Sequence, residues 1–288
     1  MMNFVKGDLV TRISYNHDLL FRIANITSDQ AIIDGVDIRL QADAPLEDLS
    51  KVQQREMNLF KKRFRKQEDV SFRLFKQDYK LLKEKRHYDA TNAYEENVSY
   101  FQLPTKVLHL DGDQTYLQKC MDLYEKIGLQ VHSIHLNEKD MPHEVGPLIK
   151  KIQPNIVVIT GHDSYSKKKG TKSELRAYRN SKYFVDTVRE GRKIIPHLDD
   201  LVIFAGACQS HFESLIRAGA NFASSPSRIN IHALDPVYIA AKIAYTSFME
   251  KVNITDALKN TFTGNKGMGG IETKGLYRIG MPYIEDKV

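Results

Sequence analysis

The chain has 288 residues, enough for two average domains or one large one. With 42% apolar and 27% charged residues it is too apolar for a disordered polymer, and no stretch approaches the ~18 consecutive apolar residues of a membrane span. Two cysteines build no disulfide framework, which leaves a folded protein of a reducing compartment and excludes membrane spans, secreted disulfide scaffolds and fibres. The first residues, Met1 to Asp8, lack the apolar core of a secretory signal.

Residues 1–50 are expected to form a small, strongly bent β-barrel. Asp8–Ile13, Leu20–Ile26 and Gln30–Val36 alternate apolar and polar residues, and turn formers such as Tyr15-Asn16-His17-Asp18 separate them. Such modules bind peptides or nucleic acid, or pack on a neighbour.

Residues 51–100 read as a basic helical linker. Leu59, Phe60, Phe64, Phe72, Phe75, Leu81 and Leu82 supply an apolar face, and Lys/Arg fill the rest. Lys51 to Arg86 contains thirteen basic and five acidic residues, a local +8 in a chain whose net charge is +6. Any polyanion argument therefore belongs to this segment alone. Its Lys61-Lys62-Arg63-Phe64-Arg65-Lys66 cluster is a nucleic-acid patch, a solvated helix face, or a set of protease sites.

Residues 101–288 alternate strands with helices: strands at 106–110, 130–136, 155–160, 201–205 and 221–225, with helices between them and a last one at Val237–Phe248. Apolar strands joined by helices predict a parallel sheet covered by helices on both faces. Chemistry in such sheets sits past the carboxyl ends of the strands. The first strand runs into Asp111-Gly112-Asp113, the third into Gly161-His162-Asp163, and the next into Gly206-Ala207-Cys208-Gln209-Ser210. A cysteine opening a helix there gains thiolate character from the dipole, a nearby imidazole takes its proton, and backbone N–H groups hold an oxyanion. Taken singly, Cys208 also reads as a small buried hydrophobe and His162 as a capping residue. Cys120, beside Leu117, Met121 and Tyr124, reads as helix core, and no motif points to a metal or other cofactor.

Gly161-His162-Asp163, followed 46 residues after the histidine by Cys208 within Gly206-Ala207-Cys208-Gln209-Ser210, resembles the His–Cys dyad of the caspase, gingipain and legumain clan of cysteine peptidases. Together with Val5–Val10 and Phe204–Leu215, the whole chain resembles the YabG family of sporulation peptidases. The resemblance implies a caspase-like catalytic domain with His162 as general base and Cys208 as nucleophile. It also implies protein substrates of the spore coat and cortex, action in the mother-cell cytoplasm and forming coat, and no membrane association. Asp163 stands where the wider clan usually has glycine, so the oxyanion donors are assigned to the backbone of Cys208 and, second, of Asp163. The loop after the first core strand helps form the primary pocket in this clan, which makes Asp111, then Asp113, the acid for a basic P1 residue, arginine above lysine. Asp235 is the reserve. Cleavage in the arginine-bearing linker by the enzyme itself is a further expectation. Two other readings compete: an amidotransferase-like hydrolase using His211 or His232, and a nucleic-acid-binding protein using residues 61–66. Oligomeric state is not encoded in any motif.

Overall fold

The computed structural model describes residues 4–91 and 101–280, without the side chains of Gln54, Arg63 and residues 86–91. Residues 92–100 of the expected linker lie outside the described residues.

The first part is an antiparallel sheet of five strands: β1 (Leu9–Arg12), β2 (Phe21–Ile26), β3 (Gln30–Gly35), β4 (Gln41–Pro45) and β5 (Leu49–Lys51). Their order is β4-β3-β2-β1-β5, and a register shift between Ile23 and Asn25 bends β2 against β3. The expected barrel is an open ladder in its hydrogen bonding, because β4 and β5 are its two edges among the described residues. Alternation places Phe21, Ile23, Ala31 and Ile33 inward and leaves Arg22 and Gln30 in solvent.

Helix α1 (Gln54–Thr91) follows, 38 residues long. Phe75 is buried, with its ring 6.0 Å from Tyr238 and 6.1 Å from Tyr79. Phe72, Tyr79 and Leu82 pack partly buried on the same core. Leu59 and Leu81, expected on this face, are instead 63% exposed. At about 100° per residue they fall off the stripe set by Phe64, Phe75 and Leu82, Leu81 on its flank and Leu59 toward the opposite side.

A short strand, β6 (Phe101–Leu103), leads into the α/β layer: β7 (Lys106–Asp111), α2 (Gln114–Ile127), β8 (Gln130–His135), α3 (Met141–Ile152), β9 (Ile156–Thr160), α4 (Ser181–Ile194), β10 (Val202–Ala205), α5 (Phe212–Ala218), β11 (Phe222–Ser224) and α6 (Asp235–Tyr245). The chain ends through β12 (Lys251–Val252), α7 (Ile254–Leu258), α8 (Gly264–Gly267), β13 (Met268–Gly270), β14 (Thr273–Lys274) and β15 (Arg278–Gly280). The central sheet has the order β13-β11-β10-β9-β7-β8 and is parallel except for β13, which pairs antiparallel with β11. That edge strand, too short to show a period, was not anticipated.

Successive strand residues face opposite layers. Leu108, Leu110, Val157, Ile159 and Ile203 meet Val145, Ile149, Phe184, Val188 and Leu215 of α3, α4 and α5. Val107, Ile156, Val158 and Phe204 meet α2, α6 and Phe75, in one apolar core with Val10, Ile23 and Ile33 of the N-terminal sheet. Helix α2 begins at Asp113, whose side chain accepts from Tyr116 N–H, and ends at Gly128 with φ 83°, where a left-handed residue closes the last turn.

Candidate active site

Strand β7 connects outward to β8 while β9 connects the other way to β10, so the crossovers part between β7 and β9 and open a crevice at the sheet's carboxyl edge. Asp111 ends β7, His162 follows β9 by two residues, and Cys208 follows β10 by three. All three are buried.

Gly206 makes the turn into Cys208 with φ 110°, and a Cβ there would lie 2.9 Å from Leu215 Cδ1. The expectation that Cys208 opens a helix is not met: α5 starts at Phe212 and His211 caps it, so the dipole does not act on the thiol. The side chain is fully buried, and burial pushes the thiol up. Its Sγ accepts from Ile231 N–H at 3.2 Å and donates to Ile231 O at 3.6 Å. His162 makes no hydrogen bond to it.

Among the described residues, His162 Nε2 is buried without a hydrogen-bond partner, 3.5 Å from Asp113 Oδ2 and 4.0 Å from Asp34 Oδ1. The Tyr116 ring lies 5.5 Å from the imidazole. Glu138 accepts from His162 N–H at 2.8 Å and stands 4.0 Å from Nδ1. Asp163, next in sequence, is a fully buried hub. Its carboxylate accepts from Ser164 N–H (2.9 Å), Asn180 N–H (2.8 Å), Ser210 Oγ (2.8 Å) and the Ser181 hydroxyl. Burial raises it to about 6 against these four donors. The hub joins the His162 loop, the Cys208 loop and the start of α4.

Asp111 is fully buried and holds a guanidinium. Arg39, from the loop between β3 and β4, is also fully buried, with Nη1 2.7 Å from Asp111 Oδ2. Its Nη2 and Nε donate to Ala233 O at 3.1 and 3.3 Å, and Nη2 lies 3.5 Å from Cys120 Sγ. Burial pushes the Asp111 carboxyl up, but Arg39 and His109 outweigh it and hold it below the usual carboxylate range. The Arg39 carbonyl accepts from Cys208 N–H at 3.2 Å and Asp163 N–H at 3.4 Å, the two groups expected to hold an oxyanion. Asp113 points elsewhere: one oxygen caps α2 and the other faces His162. Asp235 is spent on Phe262 N–H (2.6 Å) and Thr263. Of the other histidines, His211 accepts from Ser214 N–H and His232 stacks on Phe262 with ring centroids 3.8 Å apart. Cys120 is core as expected, yet it also lines the chamber around the guanidinium.

The model of the YabG peptidase U57 family matches residues 5–282. The chain belongs to the YabG peptidase family. It is 56% identical over 287 residues to the sporulation-specific protease YabG of Bacillus subtilis (strain 168), covering 98% of this chain and 99% of that one. It is therefore a peptidase, of a family tied to sporulation. Among the described residues, no helix is long and apolar enough to cross a membrane.

Four residues of this candidate site were not read from the sequence: Glu138, Tyr116, Asp34 and Arg39. Glu138 follows β8, so applying the strand-end rule to that strand as well would have found it. Tyr116 looks like any aromatic of an amphipathic helix. Asp34 and Arg39 come from the N-terminal module, far away along the chain. Among the described residues, two groups of His, Cys or Asp have ligand atoms within 4.8 Å of one another, His109/Asp111/Cys120 and Asp34/Asp113/His162. The first surrounds a guanidinium. The second is the set that could hold a divalent cation.

Proposed function

We propose that this chain is a cysteine endopeptidase that cuts after arginine, with a caspase-like catalytic layer in residues 101–288, Cys208 as nucleophile and His162 as general base. The observation that carries the reading is Arg39 itself. A guanidinium sits on buried Asp111 while the carbonyl of the same residue accepts from the N–H groups of Cys208 and Asp163. A substrate arginine placed likewise presents its scissile carbonyl at the nucleophile, with the P1 charge neutralised by Asp111. A planar fork fits this chamber better than an ammonium, because it serves Asp111 and Ala233 O together.

In the reaction the Cys208 thiol loses its proton to His162 and Sγ bonds to the scissile carbon. The two N–H groups hold the oxyanion. The C–N bond then breaks, the leaving amine takes the proton from His162, and a thioester remains. Water, deprotonated by His162, releases the acid and restores the thiol. Glu138 and Asp163 act as positioning residues, fixing the loop that carries the imidazole.

The Bacillus subtilis relative is by name a sporulation-specific protease; the substrates proposed for this chain are spore coat and cortex-associated proteins, met in the mother cell and on the forming coat. The arginines of α1 are further targets for the enzyme itself. Helical backbone does not fit an extended cleft, so cutting there requires local opening. The test is to incubate wild type, Cys208→Ala and His162→Ala with a mixed peptide library, and by themselves, and to read all new ends by mass spectrometry. Cleavage after Arg that vanishes in both Cys208→Ala and His162→Ala, by several orders of magnitude, supports the reading. Full activity in His162→Ala moves the base to His211 or His232.

A further inference from the structure

We propose that Ile38-Arg39-Leu40 is a built-in pseudosubstrate, so that the chain is latent until the loop between β3 and β4 withdraws from the cleft. The proposal rests on the peptidase reading above and adds its regulation.

The segment occupies every part of the site that a substrate needs. Arg39 fills the chamber at Asp111, and its carbonyl takes both oxyanion donors. Ile38 forms an antiparallel bridge to His232 and Leu40 a parallel bridge to Asp163, so the segment docks as an added strand between the two catalytic-side loops. Arg39 N–H donates to Ile231 O at 3.4 Å, and the neighbouring Ile231 N–H holds the Cys208 sulfur. The nucleophile is fully covered.

Three features make the segment an inhibitor and not a bond about to be cut. Leu40 N–H, the amine that would leave, is turned back onto Ile38 O at 2.8 Å, so the chain is kinked at Arg39 and not extended. Gly35 N–H to Leu40 O, also 2.8 Å, closes the loop, and β3 and β4 hold both its ends in the sheet. The thiol hydrogen-bonds Ile231 and not His162, and its burial disfavours the thiolate. The loop is also held on the site side by Tyr116, whose hydroxyl donates to Ile38 O at 2.6 Å, and on its outer side by Lys119. The Lys119 ammonium donates to Val36 O at 3.0 Å and pairs with Asp37 at 2.7 Å. Leu40 also lines a cleft of about 610 Å³ between the N-terminal sheet and the loop at Ser164–Lys169, which continues the path a displacing polypeptide would take beyond the scissile bond.

Occupancy lowers apparent activity by the fraction of molecules that are open, and loosening the loop restores it. Two variants test this in the full-length chain. Arg39→Ala removes the guanidinium, and Lys119→Ala cuts an outer tether without touching the cleft. Each is compared with wild type by the initial rate on a fluorogenic peptide ending in Arg, and by the rate at which iodoacetamide labels Cys208, read by peptide mapping. Arg39→Ala should raise both rates by about tenfold or more, and Lys119→Ala by a few-fold. If Arg39→Ala fails to fold, Lys119→Ala decides. Unchanged labelling and unchanged initial rates in the folded variants overturn the proposal. So does a new N-terminus at Leu40 in wild type during the assay, since the segment would then be a cleavage site. Faster Cys208 labelling with no peptide cut by any protein would keep the covering loop and sink the peptidase chemistry instead.

Discussion

Asp111 and Asp113 lie two residues apart at the end of β7, yet their surroundings give them different work. Asp111 sits with Arg39 and His109 in a closed chamber, whereas Asp113 caps α2 and faces His162. Asp111→Ala should therefore erase the proposed preference for arginine. It should also destabilise the fold by about 3–5 kcal/mol, because a buried guanidinium is left uncompensated. Asp113→Ala should keep the preference, lower kcat, and cost about 1 kcal/mol through the lost cap. Specificity profiles and melts of the two variants separate the roles, and equal arginine preference in all three proteins would remove Asp111 from the pocket. Glu138 gives a second test. Glu138→Gln keeps an acceptor for His162 N–H and should stay near wild-type kcat, whereas Glu138→Ala should lose about tenfold in kcat with little change in KM. Equal losses in both would show that charge, and not placement, is what matters. The placement of His162, Cys208 and Asp111 at the sheet's carboxyl edge was legible because the rule of strand ends is local. Arg39 was not, because nothing in Val36-Asp37-Ile38-Arg39-Leu40 distinguishes a loop that enters a site from one that faces water.

At the scale of elements, the strands and helices of the parallel layer follow from apolar runs and caps and lie within a few residues of where those signals put them, except that the helix expected to open at Cys208 begins at Phe212. The failures occur where period and tertiary packing disagree. Helix α1 is apolar on paper from Leu59 to Leu82, but it is Phe72, Phe75, Tyr79 and Leu82 that meet the core, while Leu59 and Leu81 face solvent. Phe75→Ala should cost about 3–5 kcal/mol by opening a cavity against Tyr238 and Tyr245, whereas Leu81→Ala should be nearly silent. Urea unfolding of the two variants checks this, and equal losses would mean that α1 packs in another register. The same helix carries the segment's charge outward. Asp78 reaches across to Lys259 at 3.2 Å and to Asn260 at 3.0 Å, ties that a reading of the basic run alone does not reveal. Length decided the remaining misses: β12 to β15 are two or three residues each and carry no periodicity.

At the scale of the whole molecule, acid acts on the fold through two opposed sets of buried groups. Burial, followed by Lys119 and Arg39, holds His232 down to about 3, against 6.5 for an unburied imidazole. Between those values only the unfolded chain takes up the proton, so this group's contribution is full above 6.5 and is lost as pH falls. Asp163 and Asp235 run the other way. Burial raises each from 3.8 to about 6, so on acidification the folded chain takes the proton first and gains stability down to 3.8. At ~1.4 kcal/mol per unit, each set is worth several kcal/mol, and the two act in opposite directions on Tm between pH 6 and 4. Substitution separates them. The Tm of wild type relative to His232→Phe should fall steadily from pH 7 to 4, whereas relative to Asp163→Asn it should rise from pH 6 to 4. Each kcal/mol moves Tm by roughly 2 °C in a chain of this size. Thermal melts at half-unit steps measure both differences. Parallel curves for wild type and His232→Phe would show that the ring between Phe262 and the Ile38 bridge reaches solvent and takes its proton in the folded state.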